Sequence, residues 1–190
     1  MLARQTARFD SSQEKWYRLR QIIRKQSLLR GEKFLLASGE WSDYYFDMKP
    51  TTFDPEGASL VGELMFNKVR DLKFDFIGGL EIGAIPVVAA VCIKSWPELP
   101  IRGFFVRDAA KDHGTKKLID GHIWDDATVI IVDDVTTKGN SAMKAVTAAR
   151  GRGCRVLKVI SIVDRLEGAT ARFAEEGIPF ESIFTTKHFD

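Results

Sequence analysis

One stretch of the chain concentrates residue types that do chemistry: Val129-Ile130-Ile131-Val132-Asp133-Asp134-Val135-Thr136-Thr137-Lys138-Gly139-Asn140-Ser141. Four apolar, mostly β-branched residues read as a strand buried on both faces. Two carboxylates stand at its C-terminal end. A loop of Thr, Lys, Gly and Ser follows, and then a helical pattern through Met143, Val146 and Ala149. Strand, small-residue turn and helix start together make an anion site, because backbone N–H groups converge there and the helix dipole adds positive charge. Carboxylates above such a loop suit a phosphorylated sugar. Asp133 and Asp134 would take ring hydroxyls, directly or through water, while Thr136, Thr137, Gly139, Asn140 and Ser141 hold the phosphate. Lys138 either adds a charge-assisted contact or is solvated. The string lacks the G-x-x-x-x-G-K-[ST] of a P-loop and the G-x-G-x-x-G of a dinucleotide fold.

Four further groups carry chemistry. Arg107-Asp108-Ala109-Ala110-Lys111-Asp112-His113-Gly114-Thr115 opens a polar stretch after an apolar run. Its Arg, Lys and His suit a cationic lid over a diphosphate. Phe34 to Gly39, followed by Tyr44-Tyr45-Phe46-Asp47, reads as an aromatic flap able to stack on a planar ring, or to pack on itself. Gly78-Gly79-Leu80-Glu81-Ile82-Gly83 reads as a glycine turn that lets backbone approach a polyanion, with Glu81 structural. Asp164-Arg165 ends a later strand on the edge where a ligand would lie, unless it is a surface ion pair.

The elements that must position these groups follow from periodicity. A helix is expected from Ser11 or Ser12 to about Leu29, ended by Gly31, with Trp16, Leu19, Ile22, Ile23 and Leu28 as its apolar stripe. Short strands are expected at 34–36 and 44–48. Asp54-Pro55 caps a helix carrying Leu60, Val61, Leu64, Met65 and Val69. Strands at 74–77, 101–106, 128–132, 156–163 and 180–185 then alternate with helices at 86–94, 140–150 and 169–176, and Gly78-Gly79 is read as a turn. Such alternation implies an α/β fold: a parallel twisted sheet flanked by helices, with ligands at the C-terminal strand ends.

Bulk properties set bounds. The 190 residues fit one domain over 1–190, whose first ~53 residues form the helix and flap. A net charge of +2 implies no nucleic-acid partner, and no apolar run has the length of a membrane span. The N-terminal residues lack the apolar core of a secretory signal, and two cysteines, Cys92 and Cys154, fit a reduced cytoplasmic compartment. His113, His122 and His188 show no zinc spacing.

Taken in order, these segments resemble the orotate phosphoribosyltransferases, of the type I phosphoribosyltransferase fold, from residue 34 to about 165. The resemblance implies transfer of phosphoribosyl from 5-phosphoribosyl 1-diphosphate (PRPP) to orotate, giving orotidine 5′-monophosphate in pyrimidine synthesis. It implies that Tyr45, Phe46 and Arg165 serve the base. Arg107, Lys111 and His113 would be the catalytic cations, on a loop (107–120) that reaches the partner subunit of a homodimer. Mg²⁺ would be the cofactor, held mainly by PRPP and water rather than by protein ligands. Where that family often carries lysine this chain has Ala37, Asp108 and a glycine turn around Gly83, and Asn140 stands where Thr, Ser or Gly is usual. Two alternatives stay open: a phosphoribosyltransferase for another base, and a non-catalytic PRPP-binding regulator.

Overall fold

The computed structural model describes residues 11–35, 39–109 and 118–190. Helix α1 (Ser12–Gln26) starts in a capping box, in which Ser11 Oγ accepts the Glu14 N–H at 3.1 Å while Glu14 Oε2 accepts the Ser11 N–H. Leu19, Ile22 and Ile23 form its buried face. The helix stops short of the expected Leu29. Ser27 is fully buried, its Oγ is 2.7 Å from Thr51 Oγ1, and its carbonyl accepts Asp47 N–H. These bonds turn the chain into strand β1 (Leu28–Leu35), which pairs antiparallel with β2 (Trp41–Phe46) and bulges between Arg30 and Phe34. The flap therefore begins earlier than the residue pattern indicates. A short helix, α2 (Lys49–Thr52), follows. Helix α3 (Pro55–Val69) is capped by Asp54, whose Oδ1 accepts from Glu56 and Gly57.

Strand β3 (Phe76–Leu80), helix α4 (Ala84–Ser95), strand β4 (Arg102–Val106), strand β5 (Ile119–Gly121), strand β6 (Thr128–Thr136), helix α5 (Asn140–Arg150), strand β7 (Arg155–Asp164), helix α6 (Ala169–Glu175) and strand β8 (Phe180–Thr185) follow, and a 3-10 turn (Thr186–His188) comes after β8. The main sheet has the order β5-β4-β3-β6-β7-β8 and is parallel except for β5 on the edge. Strand β6 is central and alternates. Val129 and Ile131 pack with α5 and α6, whereas Ile130 and Val132 pack with α1, α3 and α4.

Two expectations are corrected. Gly78 and Gly79 lie inside β3, not in a turn. A β-carbon on Gly79 would stand 2.2 Å from Val132 O, and one on Gly78 2.4 Å from the Phe104 ring. They are glycines because neighbouring chains and rings press on the strand, and the turn falls at 81–83. The polar stretch 107–126 is not all loop, since Ile119–Gly121 pairs antiparallel with β4.

Candidate active site

The sheet reverses its winding between β3 and β6: from β3 the chain steps outward to β4, then returns to the other side of β3. Ligands of open α/β sheets bind at the carboxyl ends of the strands where this happens. The 81–83 turn and the Asp133-to-Gly139 segment meet there.

Asp133 is 5% exposed. Its Oδ1 accepts Asp134 N–H at 3.2 Å, and its Oδ2 accepts the Thr136 hydroxyl at 3.4 Å. Asp134 is half-buried. Its Oδ1 accepts Val135 N–H at 2.9 Å, and its carboxyl lies against Gly83 so closely that a β-carbon there would sit 2.5 Å from Oδ1. Burial pushes the Asp133 carboxyl well above the usual carboxylate range, and the charge of Asp134 pushes it further. Burial also raises Asp134, opposed by the Val135 N–H and by the positive charge of Lys49.

These shifts set a pH dependence. Both carboxyls hold protons more tightly folded than unfolded, so their contribution to stability is full below the unfolded value and is lost as pH rises through the raised folded range. Urea melts across that range should show Asp133→Asn gaining stability relative to wild type as pH rises. A difference between the two proteins that does not change with pH would contradict the assignment.

Beyond the carboxylates, Gly139 takes φ +77°, and a β-carbon there would meet the Phe173 ring at 2.9 Å. Helix α5 begins at the next residue with no side-chain cap, which leaves its first N–H groups to the loop. Thr137 is half-buried and Ser141 exposed. Lys138 is not merely solvated: its Nζ lies 2.9 Å from Glu40 beside the flap. The Asn140 side chain turns to Arg172 of α6, which also donates to Lys138 O at 3.3 Å.

The flap shows strict alternation. Ser42, Tyr44 and Phe46 face the body while Asp43 and Tyr45 face out. Tyr45 stacks on Phe34 with ring centroids 5.7 Å apart. Phe46, expected to line the base site, is 4% exposed and packs edge-on against Phe189. Tyr44 lies under Arg165, whose guanidinium carbon is 4.3 Å from the ring centroid. Arg165 is itself 4% exposed and bonds Ser42 and Glu167.

At the root of the polar stretch, Arg107 lies over Phe105 and is held by Asp120 at 2.6 Å and Glu81 at 3.5 Å. Glu81 Oε1 also accepts Asp108 N–H, which gives this acidic residue the structural role expected of it. Asp108 pairs with Lys144 of α5. Lys111 and His113 lie outside the described residues.

The model of the phosphoribosyl transferase domain matches residues 53–176. The orotate phosphoribosyltransferase of Rhodopseudomonas palustris (strain BisB5) is 49% identical over 177 residues, covering 90% of this chain and 94% of that protein. That of Aquifex aeolicus is 41% identical over 88% of this chain and 93% of its own length. The chain belongs to the orotate phosphoribosyltransferase family. Its fold agrees with solved members. The Mycobacterium tuberculosis orotate phosphoribosyltransferase bound to Fe(III) dicitrate superposes with a TM-score of 0.81 at 34% identity, covering 92% of this chain and 98% of that one. The same enzyme in complex with PRPP gives 0.77 at 32% identity, with the same coverage.

Within an orotate phosphoribosyltransferase frame, Lys49, Ser42 and Glu167 lie outside the motifs, and Tyr44 belongs to the flap motif but not to the pair expected at the base. Lys49 sits at the start of α2 and pairs with Asp47 at 2.6 Å, close enough to Asp134 to stabilise its charge. Ser42, Tyr44 and Glu167 surround Arg165. Period-two alternation through Trp41–Phe46 carries the signal for Ser42 and Tyr44. No comparable pattern marks Lys49 or Glu167.

Proposed function

We propose that this chain transfers the phosphoribosyl group from PRPP to orotate, giving orotidine 5′-monophosphate and diphosphate in pyrimidine synthesis, as a cytoplasmic, Mg²⁺-dependent homodimer. The observation that carries the sugar half of this reading is the placement of Asp133 and Asp134 beside the uncapped start of α5, at the point where the sheet reverses. The phosphate lies against Thr136 to Ser141, where first-turn N–H groups and the helix dipole favour an anion. The ribose hydroxyls reach the carboxylates, which fixes the anomeric carbon for in-line attack by the ring nitrogen. The acceptor ring lies by the flap, with Arg165 for its acidic group. Arg107 frames the diphosphate end of the cleft, and Lys111 and His113 supply charge to the departing group.

Among the described residues no group of three or more metal-ligating side chains occurs. The half-buried carboxylate of Asp134 would still fit the water shell of a Mg²⁺ held mainly by PRPP, since the ion keeps several waters and shares one or two carboxylates with substrate phosphates. When bound with PRPP, it supplies charge neutralisation to the diphosphate. The dimer is supported by exposed apolar residues on and beside α4: Ile82, Ile93 and Trp96 are each two-thirds or more open to solvent. The cytoplasmic assignment is supported by two free cysteines, one of them buried, and no described helix is long and apolar enough to cross a membrane.

A competition assay with PRPP, Mg²⁺ and equal orotate, uracil, adenine and hypoxanthine tests the base assignment. Orotate should be consumed at least tenfold faster than any other, a discrimination of about 1.4 kcal/mol or more. Preferential use of a purine would leave the sugar site and remove orotate. PRPP binding with turnover of no base would identify a regulator.

A further inference from the structure

Arg165 is buried, 4% exposed as a residue. Its orientation is set from three sides. Glu167 Oε1 accepts from Nε at 2.8 Å, Ser42 Oγ accepts from Nη2 at 3.0 Å, and the Tyr44 ring centroid lies 4.3 Å from the guanidinium carbon. Nη1 makes no hydrogen bond among the described residues.

The two flanking groups are themselves fixed. Ser42 Oγ donates to Tyr44 O at 2.8 Å and accepts Tyr44 N–H at 3.3 Å, so its proton is committed and a lone pair is left for Arg165. Glu167 is folded back by Leu166, which takes φ +61°, a conformation that a branched side chain rarely adopts. Asp164 Oδ1 accepts Leu166 N–H at 2.9 Å and holds that turn. The second Glu167 oxygen is buried with no partner among the described residues. A strained backbone and a buried, unpartnered carboxylate oxygen both cost stability, and the pair with the buried Arg165 guanidinium is the contact that holds Glu167 there.

We propose that Ser42 and Glu167 are positioning residues that lock the Arg165 guanidinium over Tyr44, so that its free Nη1 edge meets the acidic group of the acceptor ring. This rests on the orotate reading above. Ser42 and Glu167 touch no substrate; they act through Arg165. Selectivity for an acidic ring is then a property of the lock as well as of the arginine, because a guanidinium free to swing would pair with solvent instead.

Steady-state kinetics of Glu167→Ala, Glu167→Gln and Ser42→Ala test this in the full chain. Glu167→Ala and Ser42→Ala should each raise KM for orotate about tenfold with KM for PRPP changed less than about twofold. Glu167→Gln keeps an oxygen for Nε and should stay within about threefold of wild type. The Ki of uracil, which has the ring without the carboxylate, should hold within about twofold in all three. Equal rises in both KM values, a matching rise in the uracil Ki, or an unchanged orotate KM in both alanine variants would overturn the proposal while orotate turnover by wild type stands. Absence of orotate turnover in wild type would instead remove the reading on which it rests.

Discussion

Asp134→Asn should lower kcat/KM for PRPP at least tenfold, a loss of about 1.4 kcal/mol or more of transition-state stabilisation. The substitution keeps the side chain's shape and an oxygen for the Val135 N–H, so the loop after β6 stays folded. It removes the charge that a ribose hydroxyl would meet. The same change at Asp133 acts differently. That carboxyl is almost wholly buried and accepts both Asp134 N–H and the Thr136 hydroxyl. An amide there keeps one acceptor, and its NH₂ must turn toward groups that are already donors, so Asp133→Asn affects the seating of Thr136 as well as the sugar. Thermal melts separate the two cases: an Asp134→Asn protein with wild-type Tm and reduced kcat/KM locates the loss at the ligand. Unchanged kinetics in both single variants would remove the sugar assignment.

The site was legible in the sequence where its chemistry depends on consecutive residues. The run from Val129 to Ser141 is strand, acidic pair, loop and helix start without interruption, and in the structure it is β6, the carboxylates, a left-handed Gly139 and α5. Local pattern fails where tertiary partners decide. Ser27 breaks α1 because of Thr51 and Asp47, neither of them a neighbour in sequence. Gly78 and Gly79 look like a turn because glycine favours turns, yet here they answer to the Phe104 ring and Val132 O across the sheet. Strand β5 has three residues and needs β4 to exist. In the flap, an aromatic run was visible but its facing was not. Which of Tyr44, Tyr45 and Phe46 looks inward depends on where β2 begins, and a slip of one residue reverses every side chain. The charge of Arg107 was plain from composition. Its engagement by Asp120 and Glu81 was not, because those carboxylates arrive from β5 and from the turn after β3.

That engagement bears on how charge reaches the leaving diphosphate. Arg107 is bound by two carboxylates of its own chain, and Asp108 by Lys144, so the charges at the root of the stretch are paired within the chain. The family resemblance implies that Lys111 and His113 reach the neighbouring subunit's site of a homodimer, where a basic group delivered in trans would neutralise the diphosphate as it departs. Two inactive variants should then rescue each other. Lys111→Ala spoils the cation that a subunit donates, and Asp134→Asn spoils the sugar site that a subunit keeps. In a mixed dimer one site lacks both groups and the other has both intact. Random exchange makes about half the dimers mixed, each with one working site of two, so roughly a quarter of wild-type activity returns on mixing. Subunit exchange is verified independently, by mass spectrometry of differently tagged chains, before turnover is read. Activity no greater than the sum of the separate variants, with exchange complete, would mean that the lysine serves its own subunit or that the dimer has no part in catalysis.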